Sequence, residues 1–236
     1  MAHNTDELEY SWLENRWGKF TASTASELES TGKGEMFGIG AKTRIKKVAR
    51  EAYTQFNMDE SSVNTKEMML GKMREPISYA YLYKLLGVKT LVHHGDCNPL
   101  FHNHIKYPDD AGCSPDILAY KPDGSVSFGV EMKNPKGDTH QDYLFLINNS
   151  DDLRKKCFDY WVQCQFSMAC YGVDLWLWTS HNEYFPQRDR MLIVEVPLDK
   201  TFQDNFDIRL QMAIRFKKKI IEQRINGYKG EYDFKE

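Results

Sequence analysis

The chain has 236 residues, 41% hydrophobic and 28% charged, a length and composition that allow one domain with a substantial core. A formal net charge of −3 excludes a globally basic nucleic-acid-binding surface, so any DNA-facing surface has to be local. The polar start, Met1 to Glu9, and the lack of any apolar run of membrane-spanning length exclude a secretory signal and a membrane segment, and a cytoplasmic location is expected.

Five cysteines, Cys97, Cys113, Cys157, Cys164 and Cys170, are odd in number and form no C-x-x-C pair, which indicates a reducing compartment and argues against a zinc ribbon or an iron–sulfur cluster. Residues 5–17, with Leu8, Trp12 and Leu13, read as a short amphipathic helix. Ser23 and Thr24 are followed three residues later by Ser26 and Glu27, which predicts a helix N-cap at Ser23 or Thr24. With Arg16 and Lys19 nearby, such a helix start suits a phosphate; a plain cap is the competing reading. The glycine-rich run from Ser30 to Gly40 lacks Walker spacing and reads as a linker.

Residues 41–56 form a basic helix carrying Arg44, Lys46, Lys47 and Arg50, either a solvated face or a DNA-facing stripe. Residues 65–86 form a long helix with an apolar stripe of Met69, Met73, Ile77, Ala80 and Leu85. Pro76 within it predicts a kink or a helix start near Arg74, beside Glu75. Thr90 to His94 is a strand and Leu100 to Tyr107 a second one. His93, His94, His102 and His104 with Cys97 raise the possibility of zinc, but H-E-x-x-H and a spaced cysteine pair are both absent. Asp109 and Asp110 mark a turn, from which one acid can assist a nearby site electrostatically.

The stretch from Gly112 to Pro135 carries the chemistry. Ile117–Tyr120 and Ser125–Val130 are strand-like, and Asp123–Gly124 between them is a strong hairpin signal. A ladder that places Pro122 opposite Ser125 also places Asp116 opposite Glu131, on one face and with β-carbons about 4.5–5.5 Å apart. Lys133 shares that face because side chains repeat every two residues. Two facing carboxylates repel, so one would hold its proton unless a divalent cation lay between them. Hard oxygens suit Mg²⁺ or Mn²⁺, and a lysine beside them can orient or deprotonate a water or stabilise charge on phosphorus, which is the chemistry of phosphodiester hydrolysis.

Lys136 to Asp152 reads as a long polar loop around Tyr143–Ile147, and residues 153–171 as a helix with a polar stripe of Lys156, Tyr160, Gln163 and Ser167. Asp174–Thr179 and Met191–Val196 are strands, and Thr201–Asn226 is a closing helix with a basic run from Arg215 to Lys219 and Arg224. The order implies an α/β fold, a mixed sheet flanked by helices in the manner of restriction endonucleases. We expect one domain over residues 1–236, with a helical part to about residue 88 and the catalytic sheet and helices from about 89.

Ser114-Pro115-Asp116 and Glu131-Met132-Lys133-Asn134-Pro135 resemble the SPD and E-x-K-x-P motifs of the PD-(D/E)xK nucleases. Three further segments resemble, in order, elements of the phage lambda exonuclease group, or YqaJ-like viral recombinases. They are Arg16 to Ser23, Gly71 to Glu75, and Tyr160 to Met168. The chain departs from the family pattern at Ile117, where glycine is common, and at Asn134, where cysteine is usual.

The resemblance implies a Mg²⁺-dependent exonuclease that degrades one strand of linear double-stranded DNA from its 5′ end. Asp116, Glu131 and the Met132 carbonyl would hold the metal, and Mn²⁺ would substitute. Lys133 would act on the water, Glu75 and Gln163 would organise the site, and Arg16, Ser23 and Tyr160 would contact the 5′-phosphate and DNA. It also implies a homotrimer, a single-strand annealing protein as partner, and a bacterial or phage-infected cell. A restriction or repair endonuclease of the same superfamily and a non-catalytic DNA-binding assembly protein are the alternatives.

Overall fold

The computed structural model describes residues 10–56, 66–95, 98–232 and 234. Leu8, residue 65 and Cys97 lie outside the described residues, and with them the start of two expected helices and one expected zinc ligand. In chain order the elements begin with helix α1 (residues 10–16), β1 (Phe20–Thr21), a 3-10 helix (Ala22–Glu29), α2 (Ile39–Thr54) and α3 (Lys66–Leu86). There follow β2 (Leu91–His93), β3 (His102–Asn103), β4 (Ala111–Cys113), β5 (Ile117–Tyr120) and β6 (Val126–Lys133). The chain closes with α4 (Gly137–Leu146), α5 (Ser150–Lys156), α6 (Phe158–Tyr171), β7 (Leu175–His181), β8 (Met191–Pro197) and α7 (Lys200–Ile225).

The main sheet has the order β2-β5-β6-β7-β8, with β6 in its centre. Its only parallel pair is β6 with β7, joined by the helical crossover α4–α5–α6; the other pairs are antiparallel. A small sheet, β1-β4-β3, ties the N-terminal segment to the strand just before the β5–β6 hairpin. This is the mixed α/β architecture expected, with helices on both faces. Leu118, Trp176, Trp178, Val194 and Val196 pack toward α6, α7 and α2, whereas Ile117, Ala119, Val130, Met132 and Leu177 pack toward α3.

The expected hairpin register holds, by a different route. The loop has three residues: Lys121 N–H bonds the Ser125 carbonyl, and the Lys121 carbonyl accepts from Gly124, whose φ of +84° suits glycine. That pairing is one residue out of step, and an irregularity between Ala119 and Tyr120 restores it. From there Ala119 faces Phe128, Leu118 faces Gly129, and Ile117 faces Val130. The isoleucine that stands where the family commonly has glycine is a fully buried ladder residue.

Several local expectations are corrected. Lys136–Asp152 is two helices rather than a loop. Asn149 caps α5 by accepting from the Asp152 N–H at 3.0 Å, with acids in the first turn and Arg154–Lys156 in the last. The helix expected over 153–171 is interrupted at Cys157, which lies outside helical geometry. The second strand shrinks to His102–Asn103, because His104 turns inward and accepts from the Lys106 and Tyr107 amides. Ser23 is not a cap: Thr21 is the N-cap residue of a 3-10 helix, without a side-chain capping bond.

Helix α3 neither starts nor stops at Pro76. Ser78, two residues on, bonds the Arg74 carbonyl, Asn134 and His181, so packing anchors the helix just past the proline. The expected apolar stripe of α3 faces outward, with Met69, Met73, Ile77 and Leu85 all exposed. Ser78, Tyr79, Leu82 and Leu86 share the same helical spacing and are the face the sheet covers. A helix with apolar residues on two sides does not reveal which one is buried.

Asp110 is buried and pairs with Lys217 at 2.5 Å and Lys218 at 2.8 Å, and Lys217 also donates to the Gly18 carbonyl. It therefore ties α7 to the N-terminal segment instead of assisting the carboxylates. Gly129 lies under Trp176, where a β-carbon would stand 2.1 Å from the indole. Trp176 is fully buried and has no room to retreat. Gly129→Ala is expected to lower stability by about 1–3 kcal/mol, read as a reduced urea midpoint at unchanged slope.

Candidate active site

The site grows from the end of the β5–β6 ladder. Beyond Ile117 the strand pairing stops, and the Asp116 side chain takes the next amide: Met132 N–H donates to Asp116 Oδ2 at 2.6 Å. The N–H and C=O of one extended residue point to the same edge, so the Met132 carbonyl lies on the Asp116 side of β6. On the other edge Thr179 of β7 donates to the Glu131 carbonyl at 3.4 Å. Strand β6 is thus clamped from both sides at the residues that matter.

Glu131 and Lys133 occupy alternate positions of β6 and point to the α6 face, where Asp116 also points, while Val130 and Met132 point to α3. Glu131 is only 2% exposed and forms an ion pair with Lys133. The Lys133 ammonium lies 4.8 Å from the ring centroid of Tyr160 on α6, and Gln163, one turn along, hydrogen-bonds Glu131. Of the expected polar stripe, Tyr160 and Gln163 face the site, whereas Lys156 belongs to α5, beyond the break at Cys157.

Burial pushes the Glu131 carboxyl up to about 7, reinforced by Asp116 and opposed by Lys133 and Gln163. Burial likewise raises Asp116 to about 6, with Lys133 pulling it down and Glu75 pushing it further up. For Lys133, burial pulls the ammonium down but Glu131 and Asp116 outweigh it, so its pKa is raised. These three ionisable groups, Glu131 buried and Asp116 and Lys133 half-buried, share fewer charges than they would carry in water.

Glu75 reaches this cluster from α3, close enough for its charge to act on Asp116, and sits 4.0 Å from His93 Nε2. The helix is held there by residues to which the sequence reading assigned no role. Ser78 bonds Asn134, the residue after Lys133, and lies 2.7 Å from His181 Nδ1, while Asn134 also donates to the Gly71 carbonyl. Burial holds His181 down, to about 4, so it is neutral in this network. Cys164 is buried on α6, within reach of the charges of Glu131 and Lys133. Asn134 stands at the motif position where family members carry cysteine, the one signal that pointed to it.

Arg16 and Ser23 lie elsewhere, in a cavity of about 190 Å³ shared with Lys19, Thr24, Arg44 and Lys47. Arg16 stacks on Trp12 at 4.3 Å and donates to Ser114 Oγ at 3.0 Å, two residues before Asp116. Trp12 donates to the same hydroxyl. Tyr160 does not line this cavity; it belongs to the carboxylate centre. Helix α2 thus contributes cations to the phosphate-sized pocket, although Arg44 is also bound to Glu27 through two of its three guanidinium nitrogens, Nε and Nη2.

Three of the four candidate histidines are engaged separately. His93 stacks on Tyr79, His102 stacks on Tyr171, and His104 is taken by backbone amides. Among the described residues no three His, Cys, Asp or Glu side chains converge to hold an ion. Two carboxylates and a carbonyl, all hard oxygen donors, instead fit an ion such as Mg²⁺ that keeps waters and takes further ligands from a phosphate.

No curated protein matches the chain in sequence. Among solved structures, an alkaline exonuclease (LHK-Exo) from Laribacter hongkongensis superposes with a TM-score of 0.74 at 18% identity, covering 92% of this chain and 97% of that one. The same exonuclease in complex with dAMP gives 0.73, again at 18% identity, with 92% and 98% covered. A phage-related exonuclease from Haemophilus somnus 129PT gives 0.66 at 15% identity, with 87% and 96% covered. These likenesses show a shared fold. The family model of the YqaJ-like viral recombinase domain matches residues 11–174, from α1 through the carboxylate centre to the end of α6, and the chain belongs to that family.

Proposed function

We propose that this chain is a divalent-metal-dependent exodeoxyribonuclease that removes nucleotides from the 5′-ended strand of linear duplex DNA. The observation that carries the reading is the convergence of Asp116, Glu131 and Lys133 on one face of the central hairpin, with the Met132 backbone pinned by Asp116. The fold shared with two proteins described as exonucleases supports it.

Asp116, Glu131 and the Met132 carbonyl would hold Mg²⁺, or Mn²⁺ in its place. Bound there, the ion supplies Lewis-acid activation of the phosphodiester and of the attacking water. Lys133 orients that water or stabilises the charge developing on the phosphate, and Tyr160 beneath it limits where the ammonium can move. Gln163 fixes the Glu131 carboxylate, and Glu75 adds a third negative charge that orients the water. Arg16, Ser23, Lys19, Arg44 and Lys47 hold a terminal 5′-phosphate, which is what makes cleavage depend on an end. The family resemblance supports a homotrimer as the working form and a single-strand annealing protein as its partner.

Three outcomes test this. Linear duplex carrying one 5′-phosphate should lose that strand in Mg²⁺ and survive chelation, and a covalently closed circle should remain intact; cleavage of the circle would instead identify an endonuclease. Lys133→Ala should cut the rate by about 10²–10⁴-fold.

Arg16→Ala should erode end selection, so that the ratio of rates on phosphorylated and hydroxyl 5′ ends falls toward one, read in parallel time courses.

The pH dependence follows from the raised carboxyls. In metal-free protein their contribution to stability is complete below the unfolded values near 4 and is lost as pH rises through about 6 to 7. Binding of a cation displaces those protons. The thermal stabilisation given by Mn²⁺ should be small at pH 5.5, grow between pH 6 and 7.5, and vanish in Asp116→Asn.

A further inference from the structure

A second cleft, of about 570 Å³, opens on another face of α2, bounded by the end of α7 and by residues 228–232. Arg44, Lys47 and Glu51 line the phosphate-sized pocket, whereas Lys46, Ala49, Arg50 and Tyr53 recur at helical spacing along this other stripe. The charge of the cleft runs against that of the chain. Lys46, Arg50, Arg224 and Lys229 face a single acid, Glu231, in a protein of net charge −3.

Its aromatic content is equally uneven. Tyr53, Tyr228 and Tyr232 are 48%, 50% and 54% exposed, and all three line the same cleft. Lys46 Nζ already sits 4.6 Å from the Tyr232 centroid, so one of these rings offers a π-face to a cation. Ala49 and Ile220 add an apolar component. A site for a bare anion has no use for aromatic walls, and a site for an apolar ligand has no use for four cations. Bases and phosphates together match both. Paired bases hide their faces within the stack, so an unpaired strand is what offers them to tyrosine.

We propose that this cleft binds an unpaired nucleic-acid strand at a site separate from the carboxylate centre. Tyr53 and Tyr228 stack on bases, and Arg50, Arg224 and Lys229 hold the flanking phosphates. The site stands whether or not the carboxylate centre cleaves DNA, because its residues take no part in that centre.

The test is fluorescence anisotropy with a labelled 5′-hydroxyl oligo(dT) in chelator, beside an abasic phosphodiester oligomer of equal length. Without metal the readout is binding alone, so an inactive nuclease centre leaves it unaffected. Tyr53→Ala with Tyr228→Ala should weaken oligo(dT) binding roughly tenfold or more. The corresponding phenylalanine pair, which keeps the rings, should bind like the parent. Arg224→Glu with Lys229→Glu, both at exposed positions, should weaken binding to a similar degree. This charge variant decides the matter if the tyrosine variant melts early. Parent-like binding by the charge variant and by a folded alanine variant would overturn the proposal. So would equal affinity for the abasic oligomer, which would mark a plain anion site.

Discussion

Two carboxylates and one ammonium share a dry corner of the central sheet, and most of the fold can be understood as what it takes to keep them there. Burial alone drives both carboxyls upward, and repulsion adds to it, from Asp116 at Glu131 and from Glu75 at Asp116. Lys133 offsets part of that cost, as does Gln163, but a buried ion cluster is weak evidence for stability. Under the proposed function, a divalent cation would relieve the remaining repulsion, and its binding would displace the protons that burial retains.

The scaffold answers that demand element by element. Strand β6 is central, so Glu131 and Lys133 are held by the β7 ladder on one edge and, on the other, by the Asp116 side chain bonded to the Met132 amide between them. Helix α6 lays Tyr160 and Gln163 over one face, while α3 brings Glu75 from the other, anchored through Ser78 to Asn134. The segment before β5 does a different task. Ser114 accepts from both Trp12 and Arg16, and β1 pairs with β4, so the cationic pocket is fastened to the same short stretch that ends in Asp116. The cationic pocket and the carboxylate centre are therefore linked through two residues of backbone.

An acidic chain handles a polyanion by concentrating its cations. Some positive charge is spent internally, as in Lys217 against Asp110 and Arg44 against Glu27. Other cations gather along two stripes of α2 and at the end of α7, where the cavities are. The formal net charge conceals this arrangement because it averages over the whole surface.

The catalytic face was legible in the sequence because strand geometry is local. Alternation places Glu131 and Lys133 together whatever else happens, and the hairpin places Asp116 opposite them; a three-residue turn and a compensating irregularity left that register unchanged. Helix faces were less legible. Helical spacing identified α3 but not its buried side, since two apolar stripes fit equally well and only the sheet selects one. Helices α4 and α5 went unread where polar composition suggested a loop, although Asn149 caps α5. Which cations of α2 meet Arg16, how Ser78, Asn134 and His181 lock α3, and why Asp110 serves α7 rather than the active site are all contacts between residues tens to hundreds of positions apart. No local pattern encodes them, and only tertiary packing decided them.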